Sequence, residues 1–333
     1  MIGYYVHHVG AGHLNRARAV AERSRVTVTG LSSLAEPADW PGPWVRLDRD
    51  DLAETPADVT AGGLLHWVPL EDTGLRHRMS AISAWIAAER PRLVVSDVSV
   101  EVALLARLHG VPVISVVLPG DRGDPAHRAG FAVSSGLVAA WPRRAVGMVR
   151  GLTSADQRRL QHLGGLSRLP VAGIRPAAGS ARTVLVLSGR GGGHPSRDEV
   201  AAAAADAPEW RWRVLGGSGQ WSDDPSGALA AADVVVLQAG QNAVADVAAS
   251  RRPAVVVAAE RPFGEQVATA SVLEGDSWPC RVLPTFPSSG WPALLDEVAA
   301  LDGSTWSAWC DGDAADRFAG YLESFVLAPA GRS

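Results

Sequence analysis

The sequence contains no lysine, and all 31 basic residues are arginine. That excludes a Schiff-base amine, a lysine-dependent phosphate loop and any catalytic lysine. Cysteine is nearly absent too. Cys280 and Cys310 stand far apart with no Cys-x-x-Cys pair, so neither a zinc knuckle nor a disulfide framework is indicated and a reducing compartment is expected. Positive charge is not in excess, the formal net charge being -4, and nucleic acid is not an expected partner. No apolar run is long enough to span a bilayer. MIGYYV at the start already has the pattern of a strand, so no secretory leader is expected and the protein reads as cytoplasmic.

Apolar residues are abundant: 47% of the 333 are hydrophobic against 20% charged, enough for a large core and a length that suits two domains. Short β-branched runs alternate with alanine-rich stretches, the signature of α/β folds in which parallel strands are joined by crossover helices. Expected strands in the first half are Ile2 to Val6, Arg25 to Thr29, Leu93 to Ser96 and Val113 to Val117. A second series, TVLVLS, WRWRVLG, ADVVVLQ and PAVVVAA, comes after a stretch of glycine, proline and small residues. The expected organisation is a doubly wound domain over 1–168, a linker at 169–182, a second doubly wound domain over 183–312 and a C-terminal helix within 313–333 that packs back on the first domain. Two such domains face a cleft, and ligands bind outside the carboxyl ends of their strands.

Glycines mark where a ligand can approach the backbone. TVLVLSGRGGGHP places Ser188, Gly189 and Gly191 after a strand, either to offer amides to phosphate or simply to make a tight turn. ADVVVLQAGQNAVADVAAS is more specific. An apolar strand ends at Gln238, Gly240 precedes a helix start near Gln241 or Asn242, and that start offers amides and a dipole to a diphosphate, with Asp246 placed to reach a ribose diol. Beyond the next strand, Glu265 and Gln266 open another helix.

This segment resembles the donor-binding half of the GT-B glycosyltransferases, in particular the branch that holds MurG and the plant- and macrolide-type UDP-glycosyltransferases. Where the plant-type signature reads His-Cys-Gly-Trp-Asn-Ser with a glutamate three residues on, this chain has Gln238-Ala239-Gly240-Gln241-Asn242-Ala243 and then Asp246. It departs from the signature at the histidine, at the hydroxyl residue and in the length of the acid. The resemblance implies a GT-B fold of two Rossmann-like domains, with Gly240 and Asn242 on the diphosphate, Asp246 on the ribose, Glu265 and Gln266 on the donor sugar, and Trp221 and Ser222 at the base. GAGHLNRARAVA resembles the first turn of these enzymes, which puts His13 at the general base, Gly12 and Arg16 beside it as phosphate or acceptor contacts, and Asp97 of VVSDVSVEVALL behind it.

The same resemblance implies a metal-independent, inverting hexosyl transfer from a nucleotide diphosphate sugar, UDP-linked, which serves as co-substrate with no further cofactor. A histidine backed by a carboxylate has the pKa and the fixed tautomer to take a proton from an acceptor hydroxyl. Arg175 and the helix start near Gln241 would stabilise the leaving diphosphate. The acceptor is expected to be lipid-linked or a cell-envelope or natural-product glycan, with peripheral contact at the inner membrane face.

Two alternatives stay open. One is a nucleotide-sugar hydrolase of the pseudaminic-acid-pathway type, which the first turn Gly10-x-Gly12-His13-x-x-Arg16 also resembles; the other is a non-catalytic nucleotide-sugar-binding partner. His13 and Asp97 also fit packing and capping roles. Asp48-Arg49-Asp50 and Asp311-Gly312-Asp313 have an Asp-x-Asp form but read as solvated loop acids, so no metal is expected. Trp40, Trp44, Trp67 and Trp85 suit an apolar acceptor groove or plain packing, and the arginines from Arg122 to Arg168 suit an anionic surface or a solvated face.

Overall fold

In the computed structural model, which describes residues 1–173, 182–189, 191–222, 224–275 and 277–327, the β-branched runs form two parallel sheets. In chain order the first half supplies β1 (Ile2–Val6), β2 (Val28–Ser32), β3 (Trp44–Arg46), β4 (Leu93–Asp97), β5 (Val113–Val117), β6 (Gly120–Asp121), β7 (Gly136–Ala139), β8 (Val149–Arg150) and β9 (Leu160–His162). Seven of these form one sheet in the order β3-β2-β1-β4-β5-β7-β9, and β6 pairs separately with β8. β1, β2, β4 and β5 are buried at every residue, because crossover helices cover both faces and no side of the sheet meets water.

The second sheet contains β10 (Arg182–Leu187), β11 (Trp210–Leu215), β12 (Val234–Gln238), β13 (Ala254–Val257) and β14 (Cys280–Leu283), in the order β11-β10-β12-β13-β14. Both sheets reverse their strand order next to their first strand, which opens a crevice at the carboxyl ends there.

The second strand lies later in the sequence than Arg25 to Thr29. Arg25 is occupied at the chain turn, where its backbone N and its Nε donate to Glu323 at 2.6 and 2.8 Å, so pairing with β1 begins at Val28. It continues through Gly30, whose missing side chain leaves the space that the Trp44 ring fills.

An apolar cluster runs from Val117, Leu137 and Trp141 beneath the first sheet to Leu185, Val235 and Trp309 of the second half, so the two halves share buried surface. The helix Ala314–Leu327 crosses back: Phe318, Leu322 and Val326 pack with Ile2, Tyr4 and Val20. Residues 174–181, and with them Arg175 and much of the expected linker, lie outside the described residues.

Candidate active site

Strand register brings the first pair together. β1 and β4 are neighbours, and Val6 pairs with Asp97, so the segment that leaves β1 emerges beside that carboxylate. Gly10 then takes a left-handed turn (φ 89°) into the helix Ala11–Ala21, which places His13 in its first turn. His13 Nδ1 lies 2.9 Å from Asp97 Oδ1. Asp97 also accepts from Arg16 Nε at 2.9 Å, from Arg16 Nη2 at 3.0 Å and from the Tyr4 hydroxyl at 3.1 Å.

Burial by itself would raise the Asp97 pKa, but Arg16 and His13 outweigh it and hold the carboxyl well below the usual carboxylate range. An ionised Asp97 accepts a hydrogen bond from Nδ1–H, which leaves the lone pair of His13 on Nε2. Immediately after it, Val98 sits in left-handed backbone (φ 75°), a conformation that costs a β-branched residue about 1–3 kcal/mol and that clusters at functional sites.

Arg16 is the first correction. Expected as a phosphate or acceptor contact, it is instead buried and committed through two donors to Asp97, as a buried guanidinium must be. His7 and His8 stack with ring centroids 5.0 Å apart, and His7 lies 5.6 Å from His13. Burial, then the nearby His13 and His8, push the His7 pKa down to about 4. His8 Nε2 is 3.1 Å from Asp51, which is itself held by Arg49 at 2.7 Å.

Across the cleft, the helix Gln241–Ser250 begins at Gly240 with no side-chain cap, as does the helix Ala11–Ala21 at Gly10. Their first-turn amides therefore have no side-chain acceptor, which is the local requirement for holding an anion. The two starts meet: a Cβ on Gly12 would fall 1.9 Å from Asn242 Nδ2, so only glycine lets them approach this closely. Gln241 Nε2 donates to Ala140 O at 3.3 Å.

The other donor-side residues are engaged in structural bonds. Gln238 Nε2 donates to Gly192 O at 3.0 Å, and Gln266 Oε1 accepts from Ala259 N at 2.9 Å while its amide faces Gly240. Glu265 is paired with the buried Arg122 of the first half at 2.6 Å. Asp246, expected to face a ribose, is buried and accepts from Ser167 Oγ at 2.7 Å and Arg168 Nε at 3.3 Å. Burial raises its pKa, and its carboxylate secures residues 167–168 rather than standing open to a sugar. Ser188 and Trp221 face each other across Gly216, with Trp221 exposed and Ser222 Oγ turned to Asp224 O. A cavity of about 210 Å³ lies at the carboxyl ends of β10, β12 and β13, lined by Ser188, Gly193, His194 and Gln238. Gly189 has open space at its Cβ position, whereas Gly191 faces the Arg261 guanidinium, which donates to Gly192 O at 2.8 Å.

Of the two readings open for the tryptophans, packing holds. Trp40 and Trp85 are core residues, the Trp44 ring fills the space over Gly30, and half-buried Trp67 donates to Asp50 O, so they do not line a common groove. Asp48 faces His77 at 3.0 Å, Asp50 pairs with the buried Arg78, and Asp311 binds Arg317 at 2.8 Å. Arg122 belongs to the interface and Arg159 to local carbonyls and Asp156, which removes both from any basic surface. Tyr4 and Arg261 are not singled out in the sequence, and Arg122 is read there only as part of an arginine run. None sits in a glycine motif, and only the fold brings them to the site.

No family model and no curated protein matches this sequence. Among solved structures, the glycosyltransferase of kitacinnamycin is similar at 16% identity and TM-score 0.65, covering 97% of this chain and 98% of its own. CalG4, the calicheamicin glycosyltransferase, is similar at 16% identity and TM-score 0.66, with 99% of each chain covered. MurG of Acinetobacter baumannii is similar at 15% identity and TM-score 0.61, over 97% of this chain and 99% of its own. The chain shares the GT-B fold of these structures, two parallel α/β sheets facing a cleft.

Proposed function

We propose that this GT-B chain transfers a sugar from a nucleoside diphosphate donor, UDP-linked, to an acceptor hydroxyl with inversion. The observation that carries the reading is the His13–Asp97 pair at the carboxyl end of the first sheet, set against the uncapped helix start at Gly240 of the second. His13 Nε2 takes the acceptor proton as the oxygen attacks the anomeric carbon. The bond from that carbon to the diphosphate oxygen breaks, and the electron pair leaves with the diphosphate. First-turn amides of the two helices and the Arg261 guanidinium meet the developing charge, so the step needs no metal. Trp221 stacks on the base. Gln266, whose amide already faces Gly240, reads the sugar. Asp246 reaches the ribose only by giving up Ser167 and Arg168.

The acceptor enters from the side of His8. Arg49 and Leu52 line a cavity of about 760 Å³ with Pro56 and Leu70, and Arg49 connects through Asp51 to His8. Exposed Leu52, Leu64 and Leu70 favour an acceptor with an apolar body, as in natural-product or lipid-linked glycans. Among the described residues no helix is long and apolar enough to cross a membrane.

The test combines thermal shift and turnover with UDP, TDP, GDP and their sugars on wild type and His13→Ala. One diphosphate is expected to raise Tm in both proteins, while transfer falls by about 10²–10⁴-fold in His13→Ala. Sugar release that is equally fast without acceptor would support the hydrolase instead. Tight donor binding with no turnover would support a binding partner, and no shift at millimolar ligand would end the donor-site reading.

A further inference from the structure

We propose that His66, Asp124 and His127 form a binding site for one divalent transition-metal ion of the zinc type, separate from the His13–Asp97 pair. The three come from two distant segments: the long loop between β3 and the helix Thr73–Glu89 carries His66, and the start of the helix Pro125–Val133 carries the other two. His66 Nε2 lies 3.1 Å from Asp124 Oδ1, His127 Nδ1 is hydrogen-bonded to Asp124 Oδ2, and all candidate ligand atoms fall within 4.8 Å of one another. A tetrahedral ion with bonds of about 2.0–2.1 Å needs its ligand atoms about 3.4 Å apart, a spacing between the present hydrogen-bond contacts and the 4.8 Å outer limit of the cluster. Two imidazoles and one carboxylate with an open fourth position suit zinc, cobalt or nickel better than magnesium or calcium.

The ligands are held in advance. His66 N and Trp67 N both donate to Glu101 Oε1, at 2.8 and 3.1 Å, which fixes the loop backbone. Asp124 caps its helix by accepting from His127 N at 3.0 Å. Phe263 of the second half packs against both rings and covers that side of the pair, with centroids 5.6 Å from His66 and 5.0 Å from His127. Asp124 and Phe263 also border an open pocket of about 470 Å³ through which an ion can enter. The contact that opposes the site is Arg122 Nη1, 3.2 Å from His127 Nε2. A metal on Nδ1 puts the proton on Nε2, so Arg122 must give up that bond, keeping Pro119 O and Glu265. The competing cluster, His8 with Asp50 and Asp51, offers one imidazole and has Asp50 committed to Arg78.

The experiment is a Zn²⁺ titration of the untagged full chain after chelator treatment, read by calorimetry and Tm, for wild type, His66→Ala, His127→Gln and His8→Ala. One ion per chain is expected to bind wild type and His8→Ala equally, with a raised Tm, and at least about tenfold more weakly to the other two variants. Co²⁺ in place of Zn²⁺ gives a d–d absorption band that His127→Gln abolishes, which reads coordination independently of stability, and near-UV circular dichroism confirms that each variant is folded. Binding weaker than about 0.1 mM, binding that survives both His66→Ala and His127→Gln, or binding lost in His8→Ala would overturn the site.

Discussion

The two sides of the cleft are built differently. On the first side His13, Asp97, Arg16 and Tyr4 form a network whose hydrogen bonds all stay within the first half. On the second side Asp246, Glu265 and Asn242 all lean on first-half residues, namely Ser167 with Arg168, Arg122, and Gly12. In the proposed reaction the proton-accepting pair has to be rigid to hold its tautomer, whereas the donor side has to exchange contacts when a ligand enters.

The sharpest test of that difference is Asp97→Ala, which strips a buried guanidinium of its carboxylate. A loss of about 3–5 kcal/mol in urea unfolding is expected. A variant as stable as wild type would mean that the first side is no more prebuilt than the second.

Acid probes the same side more gently. The folded His7 pKa of about 4 lies below its ordinary 6.5, so between those values the unfolded chain binds a proton that the folded chain refuses. Stability from this group is complete above pH 6.5 and falls as the pH drops towards 4. Between about pH 7 and pH 5 the loss through His7 is about 2 kcal/mol, and His7→Gln should remove that share of the decline in unfolding midpoints. An identical decline in both proteins would show that the histidine stack is not a constraint.

On the second side the expected effect is smallest. Trp221→Ala removes an exposed ring, so stability should stay within about 0.5 kcal/mol while the donor dissociation constant rises about fivefold. Unchanged donor affinity would take Trp221 out of the base site.

The same asymmetry decides what can be read in the sequence. His13 and Asp97 stand out through short local motifs, a glycine turn that opens a helix and the end of an apolar strand, and parallel register carries the two neighbouring strand ends to one place. The helix start at Gly240 is legible for the same local reason. Arg16 is misread from sequence because a guanidinium in a glycine turn suits an anion equally well, and only the burial of Asp97 decides which anion it meets. The present partners of Asp246 are not legible because they lie 78 and 79 positions away, on a segment with no pattern of its own. The shift of β2 has a similar origin in Glu323, 298 residues from Arg25.

The returning helix Ala314–Leu327 also sets an order of events during synthesis. Phe318, Leu322 and Val326 complete the apolar layer over Ile2, Tyr4 and Val20, yet they leave the ribosome long after those partners. At about 5–20 residues per second, the roughly 300 residues between Val20 and Phe318 leave that layer uncovered for about 15–60 seconds. The second half closes late as well, since Trp306 and Trp309 pack in one cluster with Leu185 and Val235, so both halves finish their cores only when the last third of the chain has emerged.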